Sequence, residues 1–200
     1  GAVSPFPFAD NAFLKKVKEK IVEPTINGLK KDKLDYCGFI FFGLMKQGDE
    51  PFVIEYNCRL GDPETEVVLP RMKNDLIELL TATAKKQLAN YNVEMDVRAA
   101  VTIMAVSGGY PGSYEKGFEI EGLSNNFGKR SIVFQAGTKL EGDKIVTNGG
   151  RVFCVTSYGE DIKEAVENSL EIIQDIYFDG VYYRTDIGYE FLPPAPEGQL

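Results

Sequence analysis

Residues 53–66 read VIEYNCRLGDPETE, a strand-like run that breaks into a glycine–proline loop carrying two acids. Successive side chains of an extended strand point to opposite faces of the sheet. One face of this strand is therefore predicted to carry Val53, Glu55, Asn57 and Arg59. The opposite face can pack into a core and carries Ile54, Tyr56, Cys58 and Leu60.

The polar face has two possible explanations: it is a solvent-exposed strand edge, or it is part of a functional site. Alternation alone favours the solvated edge, since exposed strands often carry mixed charges. Gly61 permits backbone conformations closed to other residues, and Pro63 stiffens the turn. Asp62 and Glu64 therefore project from a constrained loop, although acids ahead of a helix can also simply complement its dipole. The polar face and the loop together favour a functional site.

The residue types on this face suit a divalent cation and a phosphorylated ligand. Side chains two positions apart on one face are separated by roughly 6.6 Å along the strand. The flexible oxygens of Glu55 and Asn57 can converge on one Mg²⁺ ion across that distance. The planar guanidinium of Arg59 matches phosphate or carboxylate groups.

The composition, 44% hydrophobic and 26% charged, is that of an ordinary globular protein. A net charge of −8 argues against general affinity for nucleic acid or for an anionic membrane surface. No run approaches the roughly 18 apolar residues of a membrane span, and the N-terminus shows no signal-peptide pattern. Neither nucleic acid nor a membrane is therefore expected as a partner.

Histidine is absent, which removes Ser-His and Cys-His nucleophile systems and histidine-based zinc sites. Any bound metal is expected to be a hard, oxygen-ligated ion such as Mg²⁺. Cys37, Cys58 and Cys154 match neither a disulfide framework nor a metal motif. This cysteine usage favours a reducing cytoplasm.

The first part of the chain is predicted to contain a helix, capped by Asn11 and interrupted by Pro24, and then two antiparallel strands. A turn at 46–51 is expected to join the strands. The character of the sequence changes near residue 96, where a strong strand signal at 98–107 follows.

The second part is predicted to consist of short strands with glycine turns, a partial barrel, and one helix beginning near Asp161. A turn with positive backbone angles is expected at 108–112 and a hairpin turn at 147–151. Residues 182–186 are expected to be structural and to return the last segment to the sheet. The predicted domains are 1–96 and 97–191, with a flexible proline-rich tail at 192–200.

Residues 59–66, RLGDPETE, resemble the signature of the glycinamide ribonucleotide synthetase family, also called phosphoribosylamine–glycine ligases. GAVSP at 1–5 and VIEYNCRLGDPE resemble that family's glycine-rich segment and metal-binding strand. Four later segments resemble its C-terminal domain in order: SGGYPGSYEKG at 107–117, FQAGT at 134–138, NGGRVFCV at 148–155 and FDGVYYRTDIG at 178–188. The resemblance covers nearly the whole chain.

The resemblance implies an α+β fold, with the C-terminal part of an ATP-grasp domain followed by a small β-rich domain. It implies that Glu55 and Asn57 bind Mg²⁺ or Mn²⁺ and that Arg59 orients or neutralises the phosphates of ATP. Asp62 or Glu64 would bind the glycine ammonium or the ribose hydroxyls. The implied reaction joins glycine to phosphoribosylamine through a glycyl phosphate, with ATP becoming ADP and phosphate, in purine biosynthesis.

Nothing in the sequence resembles the family's N-terminal substrate domain. The chain is therefore expected to be the C-terminal portion of a longer enzyme, inactive alone, with the missing N-terminal portion as its partner. Two alternatives stay open. One is another ATP-grasp ligase or carboxylase, and the other is a non-catalytic nucleotide-binding module.

Overall fold

The computed structural model describes residues 1–192 of the 200-residue chain. The tail predicted at 192–200 therefore lies outside the described residues, except for Leu192. The described chain forms two compact units, and neither is continuous in sequence. The sheet unit comprises residues 1–4, 63–71 and 96–192, and the hairpin unit comprises residues 5–62 and 72–95.

The strands, in chain order, are β1 (Ala2–Ser4), β2 (Phe41–Gln47), β3 (Glu50–Asn57), β4 (Ala99–Val106), β5 (Ser131–Gln135), β6 (Thr138–Glu141), β7 (Lys144–Thr147) and β8 (Arg151–Gly159). The α-helices are α1 (Asn11–Val17), α2 (Glu23–Lys31), α3 (Thr65–Val68), α4 (Leu76–Ala84) and α5 (Ile162–Gln174). A π-helical turn spans Lys18–Val22, and short 3₁₀ turns span Leu69–Arg71, Leu88–Asn90 and Tyr189–Phe191. Within residues 1–192, none of these helices has the length and apolarity that crossing a membrane requires.

The predicted division, between residues 96 and 97, lies one residue from a boundary between the units, which falls between Met95 and Asp96. Residues 1–4 and 63–71, however, belong with the later part of the chain. The assignment of 1–96 and 97–191 as domains stays a prediction.

Arg71 explains why three separate segments form the sheet unit. Its side chain is almost fully buried, with 6% exposed, and a buried guanidinium is costly unless its donors are satisfied. It donates to Ser4 Oγ at 2.7 Å, to the Asp96 carbonyl at 2.6 Å and to the Arg98 carbonyl at 3.0 Å. One side chain thereby joins all three segments.

The main sheet of the sheet unit has four antiparallel strands in the order β1-β4-β8-β5. β4 and β8 lie at its centre and are buried along almost their whole length. Their sequences are largely apolar, with Thr102, Thr156 and Ser157 buried among the apolar residues, which is typical of strands covered on both faces. β6 and β7 form a separate two-stranded hairpin.

The loop predictions for this unit have mixed outcomes. Gly109 has a φ of +93°, which confirms the turn with positive backbone angles at 108–112. Val106 N donates to the Tyr182 carbonyl at 2.8 Å, which confirms that the last segment returns to the sheet. The hairpin turn predicted at 147–151 is wrong, because β7 pairs with β6 whereas β8 pairs with β4 and β5. Turn chemistry gives the position of a reversal but not the partner of the strand that follows.

Helix α5 covers β4 and β8. It begins at Ile162, as the predicted start near Asp161 requires, and Asp161 caps it by accepting a hydrogen bond from Glu164 N at 2.8 Å. Ala165, Val166 and Ile173 are buried on its inner face. Ser169 also lies there and donates to the Val101 carbonyl at 2.9 Å, which satisfies a buried hydroxyl.

Helix α1 of the hairpin unit begins one residue earlier than predicted. Asp10, not Asn11, is the cap: its carboxylate accepts from Phe13 N at 2.7 Å, and its backbone is extended. Asn11 already belongs to the helix, so it cannot have the non-helical conformation that a cap requires.

The prediction that Pro24 interrupts the helix is wrong, since helical structure continues from residue 11 to residue 31. Proline lacks an N–H and crowds the carbonyl four residues earlier, here that of Lys20. The chain accommodates this with the π-helical turn just before it, in which Glu23 N bonds to the Lys18 carbonyl. Pro24 then lies in the first turn of α2, where proline is tolerated.

Strands β2 and β3 form the predicted hairpin, with a tighter turn than 46–51, since only Gly48 and Asp49 connect them. Gly48 has a φ of +59°, as a two-residue hairpin turn requires. The face predicted to be a core is not buried: Ile54 is 63% and Tyr56 53% exposed. Within residues 1–192 no third strand pairs with β2 or β3, so the hairpin lacks the neighbour that such a face needs.

Burial by α5 gives a testable expectation for stability. Replacing the fully buried Ile173 with alanine should lower the free energy of unfolding of the sheet unit by about 2–5 kcal/mol, because it removes buried apolar surface and leaves a cavity. The control is Leu140→Ala in the same unit, whose side chain is 73% exposed and whose loss should cost less than about 0.5 kcal/mol. Urea unfolding followed by circular dichroism measures both. An equal loss of unfolding free energy in the two variants would show that α5 does not bury this core.

Candidate functional site

A bulge in β3 decides which side chains of the hairpin share a face. The pairs across the hairpin are Phe41 with Asn57, Gly43 with Glu55, and Leu44 with Val53. Ile54 is therefore an extra residue in β3. Gly43 and Leu44 lie on opposite faces of β2, and so do Glu55 and Val53, which pair with them. The prediction that Val53 shares the face of Glu55 is wrong, because one extra residue reverses the alternation.

Glu55 and Asn57 lie together on one face of the hairpin, and this part of the prediction is confirmed. Asn57 Nδ2 donates to Glu55 Oε1 at 2.9 Å. The Glu55 side chain is exposed and that of Asn57 is half-buried, so solvent and small ligands reach both. Rotating the Asn57 amide by half a turn presents its oxygen to the same point. A carboxylate and an amide oxygen can then face one cation.

Gly43 makes room for the Glu55 side chain. A methyl group on Gly43 would lie 2.8 Å from Glu55 Cγ, closer than carbon atoms approach without displacement. Cγ is near the backbone, so a torsion at the end of the side chain would not relieve the clash. The glycine opposite Glu55 thus allows the carboxylate to lie across β2 and beside Asn57.

Arg59 lies beyond the end of the strand, since β3 ends at Asn57. Its guanidinium is exposed and donates to the Leu60 carbonyl at 3.0 Å. The alternation used to place Arg59 with Glu55 therefore does not extend to it, and its phosphate role stays a prediction.

The two acids of the loop belong to different units. Asp62 is exposed and is the last residue of the first segment of the hairpin unit. Glu64 belongs to the sheet unit, where its backbone carbonyl accepts from Val67 N at 3.2 Å and from Val68 N at 2.9 Å at the start of α3. The substrate-binding roles of the Asp62 and Glu64 carboxylates stay predictions.

Residues 1–192 supply an incomplete donor set for a metal. In residues 1–192 no group of three or more cysteine, aspartate or glutamate side chains could hold an ion. Glu55 and Asn57 could therefore supply only two oxygens. This fits Mg²⁺, which proteins commonly hold through one or two carboxylates with water and substrate phosphates completing the sphere.

Gly43 is the site residue that the sequence interpretation missed. The available signal was a glycine inside a strand, which often marks a bulge or a close approach of another group. That signal could not identify Glu55 as the group, because cross-strand register depends on the bulge.

Comparisons with known proteins place the chain in one family. The sequence model "Phosphoribosylglycinamide synthetase, ATP-grasp (A) domain" matches residues 1–65, and "Phosphoribosylglycinamide synthetase, C domain" matches residues 100–190. The chain is 43% identical over 187 residues to phosphoribosylamine–glycine ligase of Caldanaerobacter subterraneus subsp. tengcongensis, covering 94% of this chain and 44% of that protein. It is 43% identical over 190 residues to the trifunctional purine biosynthetic protein adenosine-3 of Gallus gallus, covering 94% of this chain and 19% of that protein.

A solved structure agrees with the sequence matches. The crystal structure of phosphoribosylamine–glycine ligase from Thermotoga maritima superposes with a TM-score of 0.77 at 32% identity, covering 92% of this chain and 45% of that one. The chain thus spans less than half the length of these relatives. The α+β fold predicted from the sequence is confirmed by this match. With both domain models matched in order and two-fifths of its residues shared with named ligases, the chain belongs to the phosphoribosylglycinamide synthetase family.

Proposed function

We propose that this chain supplies the metal-binding half of an ATP-dependent ligase that joins glycine to 5-phosphoribosylamine in purine biosynthesis. The observation that carries the proposal is the pairing of Glu55 with Asn57 on one face of β3, in a chain of this family. The reaction gives glycinamide ribonucleotide, ADP and phosphate.

In this proposal Glu55 and Asn57 hold Mg²⁺ or Mn²⁺ through one carboxylate and one amide oxygen. The ion would neutralise charge on the phosphates of ATP, which is the chemistry that such ions supply in phosphoryl transfer. Gly43 lies opposite Glu55 on β2, and because it has no side chain the Glu55 carboxylate can occupy this position.

Arg59 would stabilise the negative charge that develops on the transferring phosphoryl oxygens. Its guanidinium has five N–H donors, and its contact with the Leu60 carbonyl uses a single nitrogen. Asp62 or Glu64 would bind the ammonium group of glycine or the ribose hydroxyls. We assign neither acid as a general base.

The chemistry consists of two group transfers. The carboxylate of glycine attacks the γ-phosphorus of ATP, which forms glycyl phosphate and releases ADP. The amine of phosphoribosylamine then attacks the glycyl carbonyl, phosphate leaves, and the nitrogen loses a proton. The residues of this chain contribute charge stabilisation and positioning to the first transfer.

The exposed apolar residues of the hairpin favour a further protein contact in a longer protein. Met45 and Phe52 pair across the hairpin and are both more than half exposed, beside the exposed Ile54. We infer that the remaining length seen in the relatives covers them.

Cys37, Cys58 and Cys154 form no disulfide, which agrees with the proposed cytoplasmic setting.

Two other functions can be separated from this one. Identity of about two-fifths to named phosphoribosylamine–glycine ligases disfavours another ATP-grasp ligase or carboxylase. If the chain is a non-catalytic nucleotide-binding module, its affinity for ATP with Mg²⁺ should be the same for the chain alone and for a full-length protein that contains it. A much lower affinity of the chain alone favours the ligase.

The metal assignment predicts that Glu55→Gln weakens Mn²⁺ binding by at least about tenfold, because it removes the only carboxylate proposed as a ligand. Titration of the chain with Mn²⁺, followed by electron paramagnetic resonance, measures the loss. The matched control is Glu19→Gln in the same unit, an exposed acid whose 3.7 Å contact with Lys15 is a surface ion pair. If the two variants bind Mn²⁺ alike, the assignment of Glu55 is wrong.

The positioning role of Gly43 predicts that Gly43→Ala moves the Glu55 carboxylate away from Asn57. The side-chain amide signals of Asn57 in NMR spectra should shift, and Mn²⁺ affinity should fall by about tenfold. Gly28→Ala is the control, because a methyl group there meets nothing within 4 Å. Unchanged Asn57 signals in Gly43→Ala would remove Gly43 from the site.

The chain alone is expected to show no more ligase activity than its Glu55→Ala variant, since it spans 44% of the length of its ligase relatives. Formation of ADP that depends on both glycine and phosphoribosylamine is the readout. A full-length protein containing these residues should show the activity and lose it on Glu55→Ala. Activity of the isolated chain above its variant would overturn the expectation.

A further inference from the structure

A cleft in the sheet unit concentrates positive charge and tyrosine side chains. It has a volume of about 270 Å³. We call it the arginine–tyrosine cleft, after Tyr110, Arg151, Tyr182, Tyr183 and Arg184. The chain as a whole carries 30 acidic residues and a net charge of −8, yet within residues 1–192 none of the residues lining this cleft is acidic.

The sheet itself brings the cationic and aromatic groups together. Val106, at the end of β4, pairs with Arg151 of β8 on one side. On its other side it pairs with Tyr182, through hydrogen bonds of 2.8 and 3.0 Å. Paired residues of neighbouring strands project from the same face of a sheet, so Arg151 and Tyr182 flank Val106 on one face.

Arg184 lines the same cleft and is held by a fixed partner. Its Nε lies 2.7 Å from Asp186 Oδ1 and its Nη2 2.8 Å from Asp186 Oδ2. This two-point contact orients the plane of the guanidinium and uses two of its five N–H donors. The side chain is exposed, so a ligand can reach the remaining edge.

Burial and charges of both signs act on the pKa of the Gly1 amine, which lines the cleft. Burial lowers this pKa, and the positive charges of Arg184 and Arg151 lower it further, while Glu64 and Cys154 act in the opposite direction.

We propose that the arginine–tyrosine cleft binds the phosphate group of a small phosphorylated sugar, with Arg151 and Arg184 as its cationic ligands. Guanidinium groups match the geometry of phosphate oxygens, and tyrosine hydroxyls add hydrogen-bond donors. The volume is just below the range of about 300–1,000 Å³ usual for ligand pockets, which suits a sugar phosphate better than a nucleotide. Identifying this group with the phosphate of phosphoribosylamine rests on the proposed function, whereas the affinity of the cleft for phosphate does not.

The test is an NMR titration of the folded 200-residue chain with ribose 5-phosphate. Backbone amides of residues 150–151 and 182–187 should shift saturably. Inorganic phosphate should shift the same amides, and ribose without phosphate should not. Arg151→Gln should weaken binding about tenfold or more, since a hydrogen bond to a charged group contributes about 1.5–3 kcal/mol. No saturable shift at about 10 mM, ten times a millimolar Kd, would overturn the proposal.

Three further measurements sharpen the outcome. Arg130→Gln is the matched control in the same unit, because Arg130 makes a surface contact with Glu164 at 3.6 Å outside the cleft, and its binding should equal that of the parent chain. Arg184→Lys keeps the positive charge but loses the paired N–H donors of the guanidinium. This variant should remain folded and should bind ribose 5-phosphate more weakly than the parent chain. Acetylation of Gly1 removes the terminal charge. Binding that survives acetylation supports the arginines, and binding that depends only on the amine overturns their role.

The same titration separates this inference from the proposed function. Glu55 lies in the hairpin unit, so Glu55→Gln should leave the phosphate titration unchanged. If the chain binds Mn²⁺ but not phosphate, the phosphate site in the cleft is wrong and the metal site stands. If it binds phosphate but not Mn²⁺, the metal site is wrong and the phosphate site stands.

Discussion

The pairing of β3 with β2, including one extra residue in β3, is the constraint on which the proposed metal site depends. Because Ile54 is bulged, Glu55 pairs with Gly43, and Val53 projects from the face opposite to that of Glu55 and Asn57. A regular ladder would place Glu55 opposite a different residue of β2. The residue of β2 opposite Glu55 must be small for the Glu55 carboxylate to lie across that strand. The bulge at Ile54 places Gly43 at this position, so both features are needed.

In the sheet unit, the arginine–tyrosine cleft lies beside a buried apolar core, and Ile103, Met104 and Val106 of β4 line part of it. β4 and β8 bury their apolar side chains under α5, which fixes the backbone positions at their ends. Arg151 begins β8 and Val106 ends β4, so both lie where buried strand gives way to loop. Functional side chains placed on such rigid ends lose little freedom when a ligand binds.

Burial differs sharply between the two units and agrees with the length comparison. The sheet unit has a continuous core that includes Val101, Phe153 and Ile173. The hairpin unit instead exposes Ile54 and Tyr56, on a two-stranded sheet that has no third strand within residues 1–192. Large exposed apolar side chains on a marginal sheet are expected where further protein normally packs. The relatives, which are more than twice as long as the matched region, have the residues to provide it.

The sequence by itself determined the family, the α+β class, the hairpin, the start of α5 near Asp161 and the shared face of Glu55 and Asn57. These features follow from local rules: alternation along a strand, turn residues, caps and a motif of adjacent residues. Only the tertiary structure decided the bulge at Ile54, the proximity of Gly43 to Glu55, and the joining of residues 1–4 and 63–71 to the later segments through Arg71. It also decided that β7 pairs with β6, and that Arg151 and Tyr182 flank Val106. The physical reason is that register and strand partners depend on contacts between residues far apart in sequence, which no local pattern encodes.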